Sequence, residues 1–327
     1  MKKLLTKEEV EQKIINGEKL ILAGDENLLS QLPQGEWIGG TIPYFMAENG
    51  GTFTKELIFA DEVPGFAEET YIKFYNEDTI ADIAEDEFEH GYTILIIPAF
   101  SLIHKTFAEN SHLFKNIFQR PLLGWISGVD LKDGGKITPK VFNGTIGEKS
   151  GLLAVAIHIE LPKNKIPILD IVNLFEQGTG DTLTFDTSGF NISTCYVNGV
   201  KKSFSEYLMR NKIGIKLPLV ADYYGAKINT CFQSIDEEKD IVNLYGPVFK
   251  DVKYKIASPV GDYVKEFTER VAKLNIDPVF TCNCILNYLY SELEGRKTAN
   301  ITGPITFGEI AYQLLNQTMV YLTIKDA

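Results

Sequence analysis

Tyr92-Thr93-Ile94-Leu95-Ile96-Ile97 is an almost unbroken apolar run, and together with the thirty residues after it this run decides how the chain folds. Ser101 to Glu109 has helical spacing, Pro121 breaks the pattern, and Leu122-Leu123-Gly124-Trp125-Ile126-Ser127 is apolar again. A strand without alternation is one buried on both faces, beneath helices. The same grammar occurs earlier. Lys19 to Ala23 reads as a strand, Asp25 or Asn27 caps a short helix through Leu28, Leu29 and Leu32, Pro33 stops it, and Trp37-Ile38-Gly39-Gly40 comes next. The only two tryptophans thus sit in one local pattern, Trp37-Ile38-Gly39-Gly40 and Trp125-Ile126-Ser127-Gly128. Either two related strand–helix–strand units stand here or the match is a coincidence.

Around these units, Thr6 and Glu9 form a capping box for a helix carrying Val10 and Ile14. Glu56–Ala60 and Tyr71–Tyr75 read as strands, and Ile80, Ile83, Ala84 and Phe88 as one helical face. His112 to Phe118 is expected to be helical, Gly134-Gly135 a hairpin turn, and Leu152 to Leu161 a long strand. Pro162 to Pro167 reads as a linker, followed by a short helix over Leu169–Glu176. Beyond it the texture changes to hairpins. Leu183–Thr187 and Asn191–Val197 alternate, Asn198-Gly199 is a tight-turn signal, and Ser203 caps a helix through Phe204, Tyr207 and Leu208. Ala226–Ile235 and Ile241–Leu244 pair around Asp236-Glu237-Glu238, and Ser258 or Asp262 starts a helix through Val264, Phe267 and Val271. Val279–Cys282 is a strand with the helix Ile285–Leu293 behind it. The expected class is α/β with mixed (α+β) sheets, in two lobes, residues 1–165 and 166–327, each a mixed β-sheet covered by helices.

With 327 residues the chain exceeds the roughly 250–300 at which cores divide. A formal net charge of −12 argues against nucleic acid and against an anionic membrane surface. Four cysteines, Cys195, Cys231, Cys282 and Cys284, are not needed as disulfides in a core this large, so a reduced, cytoplasmic setting is expected. Met1-Lys2-Lys3-Leu4-Leu5 starts like a leader, but Thr6-Lys7-Glu8-Glu9 interrupts it. No stretch approaches the length of a membrane span.

Chemistry concentrates in the last forty-odd residues. Cys282-Asn283-Cys284 lies where a strand feeds a helix, a place where free amides favour ligands and lower thiol pKa values. Two small buried residues under a helix would read the same way. Gly303 to Ile310 brings the Thr306 hydroxyl and the Glu309 carboxylate between glycines. Either Glu309 meets a ligand, or it caps a helix over Ile310–Leu315. Asn316-Gln317-Thr318 precedes the last strand, and Gly39-Gly40-Thr41 and Ser127-Gly128 are small, polar and strand-terminal. The four histidines, His90, His104, His112 and His158, form no ligand pair, and only two thiols are grouped, so no metal site is expected. No dinucleotide loop, Walker lysine or Gly-x-Ser-x-Gly elbow appears.

Asp186–Val197 with Asn198-Gly199, Phe204–Met209, Leu217-Pro218-Leu219, Gly246-Pro247, Phe280-Thr281-Cys282, Thr306-Phe307-Gly308-Glu309-Ile310 and Asn316-Gln317-Thr318 together resemble the C-terminal domain of the FIST sensory family. Thr93–Phe100 through Leu123–Gly128 resembles its N-terminal domain more loosely. The resemblance implies a two-lobed sensory module that binds a small ligand between the lobes, an amino acid or related metabolite, and signals to a separate protein. It also implies haem for some relatives. The arginine that commonly follows the family's cysteine is replaced here by Ile285, Leu286 and Asn287. Cys282, Asn283, Cys284, Thr306 and Glu309 are the expected ligand contacts, with Ser127 and Gly128 opposite. Glu309 would fix a donor group and Asn283 orient it. No cofactor is expected. The alternatives are a hydrolase or transferase using Cys282 or Cys284 as nucleophile, and a haem sensor using one histidine.

Overall fold

Gly91–Pro98 runs parallel to Leu122–Ser127, Ile96 opposite Trp125, and the helix Leu102–Asn110 connects them. Ser101 caps that helix, its hydroxyl accepting from the His104 amide at 3.2 Å. Leu20–Gly24 and Trp37–Thr41 repeat the arrangement around the short helix Glu26–Leu29. Each tryptophan therefore stands on the second strand of a parallel pair. The structure, a computed structural model, describes residues 2–223 and 225–327; Met1, which opens the leader-like start, lies outside them.

The described strands form five sheets of mixed or antiparallel order. The first contains both Leu20–Gly24 and Trp37–Thr41, flanked by Ile58–Glu62 and Val141–Asn143. The second is ordered Gln313–Leu315, Glu309–Ala311, Leu122–Ser127, Gly91–Pro98, Ala154–Glu160, Thr70–Tyr75. The third is ordered Lys165–Val172, Met319–Asp326, Phe280–Cys284, Gly303–Thr306, Tyr44–Ala47, Gly50–Phe53. Two further sheets, one of six strands and one of three, lie within residues 183–256. The fold is mixed sheets covered by helices, as the strand–helix alternation predicts.

The cut at 165/166 does not separate sheets. Glu309–Ala311 completes the second sheet beside Leu122–Ser127, and Tyr44–Ala47 pairs with Gly303–Thr306 in the third. The C-terminal strands return into the first half because its parallel pair leaves an open edge there, and an unpaired edge must be covered.

Several local expectations change for identifiable reasons. Pro162–Pro167 is not a linker, nor Leu169–Glu176 a helix. Lys165–Val172 is an edge strand, paired along its length with Met319–Asp326 and tolerating Pro167 because its other side has no partner strand. The helical face over Ile80–Phe88 shrinks to one 3-10 turn, Ile80–Asp82, with Ile80, Ile83 and Ala84 still buried. His112–Phe118 is a 3-10 turn, Ser111–Leu113, cut short by Asn116 in the left-handed region (φ 64°). Gly134-Gly135 follows the 3-10 turn Leu131–Asp133 in a loop, not between paired strands. Ile310–Leu315 is not helical, so Glu309 caps nothing. Glu309–Ala311 and Gln313–Leu315 form a hairpin turning at Tyr312 (φ 62°).

The first three sheets enclose one apolar core containing Ile38, Phe45, Ile96, Trp125, Ile305 and Leu322. Trp125 is its largest member, fully buried and stacked on Phe280 at 5.8 Å. Among the described residues no helix is long and apolar enough to cross a membrane.

Candidate functional site

Phe280–Cys284 is buried along its whole length, so its short side chains sit among packed strands. The Cys282 thiol donates to the Gly124 carbonyl at 3.2 Å. The Asn283 side-chain oxygen accepts from the Cys284 amide at 2.7 Å and from Asn287 Nδ2 at 3.0 Å. Thr306 lies beside Cys284 in the parallel pair, and its hydroxyl reaches the Gly308 carbonyl at 3.1 Å and the Asn283 carbonyl at 3.3 Å.

Glu309 stands opposite Trp125 and has no exposed surface. One carboxyl oxygen accepts from the Thr318 hydroxyl at 2.8 Å and from its amide at 3.1 Å, while Oε1 has no partner. Burial pushes this carboxyl up to about 8, against the opposing pull of the Thr318 hydrogen bonds, so Glu309 is neutral at pH 7. Burial also raises the Cys282 and Cys284 thiols well above the ordinary range, and Glu309 beside them adds to the shift. Asn316, Gln317 and Thr318 are buried too, Gln317 accepting from the Cys231 thiol at 2.9 Å.

Ser127 ends its strand fully buried, with its hydroxyl unpartnered. Gly128 follows, with the Phe307 ring lying over it so closely that a methyl group there would overlap the ring. Cys282, Asn283, Cys284, Thr306 and Glu309 thus share one buried polar cluster, with Ser127 and Gly128 at the strand end nearby. None of the seven borders open space.

The open space lies on the far side of Phe307. A groove of about 1050 Å³ runs past the carboxyl end of Gly91–Pro98, between the loop 131–139 and the sheet containing Gly189–Ile192 and Ile241–Val248. Phe100, Leu102, Phe190, Ile285, Leu289 and Phe307 supply much of its apolar wall. Phe100 is 64% exposed and Leu152, across the groove, 72%. Apolar side chains held in the open around one concavity are the material from which binding surfaces are built.

His104 is also part of the groove wall, and is 8% exposed. Its Nδ1 accepts from the Phe100 amide at 3.3 Å, which assigns the ring hydrogen to Nε2, and Nε2 has no partner. Burial holds the imidazole down to about 4, so it is a neutral donor. Phe100 adopts a left-handed backbone (φ 64°), unusual for a bulky residue, and this turns its amide toward His104. Replacing Phe100 by glycine is expected to raise stability by about 1 kcal/mol by removing that strain, while weakening whatever the groove binds; thermal melts with and without ligand measure both.

None of these wall residues is among the seven ligand contacts expected from the sequence. The available signal was the excess of apolar residues in polar loops, Leu131, Ile137 and Leu152 among them, beside the strand end at Ala99-Phe100.

The nucleophile reading loses its chemistry here. Among the described residues no hydrogen bond joins a cysteine to a histidine, and both candidate thiols are neutral at physiological pH. Native protein is expected to react with iodoacetamide at pH 8 at least ~100-fold more slowly than a free thiol; fast single-site labelling of Cys282 or Cys284 would restore the nucleophile. The haem reading fares no better at His104, because an imidazole whose Nδ1 accepts a hydrogen bond presents N–H, not a lone pair, at Nε2. Among the described residues no three His, Cys, Asp or Glu side chains group as metal ligands do.

A family model, the family of unknown function DUF6976, matches residues 5–325, and the chain belongs to that family. No curated protein matches the sequence.

Proposed function

We propose that this protein is a ligand-binding sensory module of FIST-like kind, acting in the cytoplasm and passing its signal to a separate protein. The groove beside Phe307 is the ligand site, between the loops of the first half and the hairpins of the second. The observation that carries this reading is the groove itself, about 1050 Å³ and walled by exposed aromatic and aliphatic side chains, with Lys105 and Lys136 among its lining residues.

The buried cluster serves the same site from behind. Ile285 and Leu286 follow Cys284 directly, and Phe307 follows Thr306, so the bonds among Asn283, Asn287, Thr306 and Thr318 fix the wall that a ligand touches. The ligand contacts are then Phe100, His104, Ile285 and Phe307, supported by the seven residues read from sequence.

Native mass spectrometry of freshly purified protein, compared with the Leu289→Trp variant, tests this. A small molecule carried by the parent protein and lost from the variant supports the groove. A molecule retained by the variant places binding elsewhere.

A further inference from the structure

The geometry points to an anionic amphiphile as the groove's ligand: a single carboxylate head on an apolar body of medium length. This rests on the groove being the binding site, as proposed above. Three independent features converge on it.

The first is charge. The chain carries 44 acidic residues against 32 basic ones, yet no Asp or Glu lines the groove, while Lys105 and Lys136 do. Lys105 has only a loose contact with Glu109 at 4.0 Å, and Lys136 has no ion-pair partner among the described residues. The nearest loop acids, Asp130 and Asp133, are both engaged by Lys55, at 3.2 and 3.1 Å. A positive groove in a negative protein selects an anion, and that local sign is opposite to the global one.

The second is the helix end. Phe100, Ser101, Leu102 and His104 line the groove at the amino end of a nine-residue helix. The Leu102 and Ile103 amides belong to that end, where negative charge is favoured. The partial positive charge of that helix end fits an acid and disfavours an amine.

The third is the wall. Phe100, Leu102, Phe190, Leu244, Leu289 and Phe307 provide more apolar surface than a small polar acid needs. An apolar body buried there gains about 25 cal/mol for each Å² removed from water. A short hydrophilic amino acid would leave this surface wet.

The test uses three probes with one chain length: sodium octanoate, octylammonium chloride and 1-octanol. They are titrated calorimetrically into the full chain, into Leu289→Trp and into the surface double variant Lys105→Glu/Lys136→Glu. Octanoate is expected to bind at one site, at least ~tenfold tighter than octylammonium. The double variant should fold normally and reverse that order, with 1-octanol little changed. If all three probes bind the parent protein alike and Leu289→Trp abolishes them, the groove stands and the anionic class is wrong. If none binds, or if octanoate ignores both the charge reversal and Leu289→Trp, the ligand class and the groove fall together.

Discussion

Gly128→Ala should destabilise the protein by about 1–3 kcal/mol and close the groove to ligand. Gly128 is held from both sides. Its amide donates to the Thr41 carbonyl at 2.7 Å, which ties the end of Leu122–Ser127 to the end of Trp37–Thr41. The Phe307 ring covers its other side. Neither backbone can retreat, because the Phe307 amide donates to the Ile126 carbonyl at 3.0 Å and the Ile126 amide to the Gly308 carbonyl at 2.8 Å. A new methyl group must therefore move the ring. Its free direction is outward, past its edge-to-face contact with Phe100 at 6.2 Å, into the groove. Thermal melts should show a lower midpoint in Gly128→Ala and no ligand-induced rise. Gly128→Ala/Phe307→Leu, which removes the obstructed ring, should recover most of the lost stability. An unchanged midpoint in the single variant would mean that the ring yields freely and does not wall the site.

The parts of this fold visible in the sequence are those governed by local rules. The Thr6 capping box, the Ser203 cap, the Asp262 cap (one of the two starts offered with Ser258) and the Asn198-Gly199 turn all occur where their side chains predict. The central strands were legible because fully apolar runs such as the one within Gly91–Pro98 read as buried on both faces. What the sequence hid was long-range pairing. Lys165–Val172 looks like a proline-bounded linker until Met319–Asp326 lies beside it, and Glu309–Ala311 looks like a helix start until it pairs with Leu122–Ser127. The candidate site divides along the same line. Cys282 to Cys284, Thr306 and Glu309 do come together, because two adjacent parallel strands end there. Their placement behind the groove wall depends on Phe307 folding back over Gly128, and neither residue signals that from its neighbours. His104 was one of four scattered histidines until the Phe100 backbone fixed its hydrogen.

Raising the pH from 6.5 to 8 should lower the stability of this protein, and Glu309→Gln should remove a large share of that loss. The folded-state carboxyl of Glu309 titrates near 8 against an ordinary 4.5. Between those values the native protein holds a proton that the unfolded chain has released, so stability falls as pH rises through the interval and levels off above it. Glu87, pushed up to about 8 chiefly by burial, contributes with the same sign. The histidines act oppositely and mostly below this window: His104 and His158, held down to about 4, and His112, also lowered, add stability as pH rises to and through 6.5. The neighbouring thiols, Cys231, Cys282 and Cys284, are raised too far to titrate in this window. From pH 6.5 to 8 the carboxyls dominate, each contributing a loss of roughly 1.5 kcal/mol at about 1.4 kcal/mol per pH unit, while each lowered histidine returns about 0.4 kcal/mol. A glutamine at 309 keeps an oxygen for the Thr318 amide and hydroxyl but carries no charge to bury. Urea unfolding at the two pH values should give Glu309→Gln less than half the parent protein's loss, with no loss left in Glu309→Gln/Glu87→Gln. Equal losses in parent and Glu309→Gln would show that the carboxyl at 309 ionises with access to water, and that the cluster behind Phe307 is not sealed.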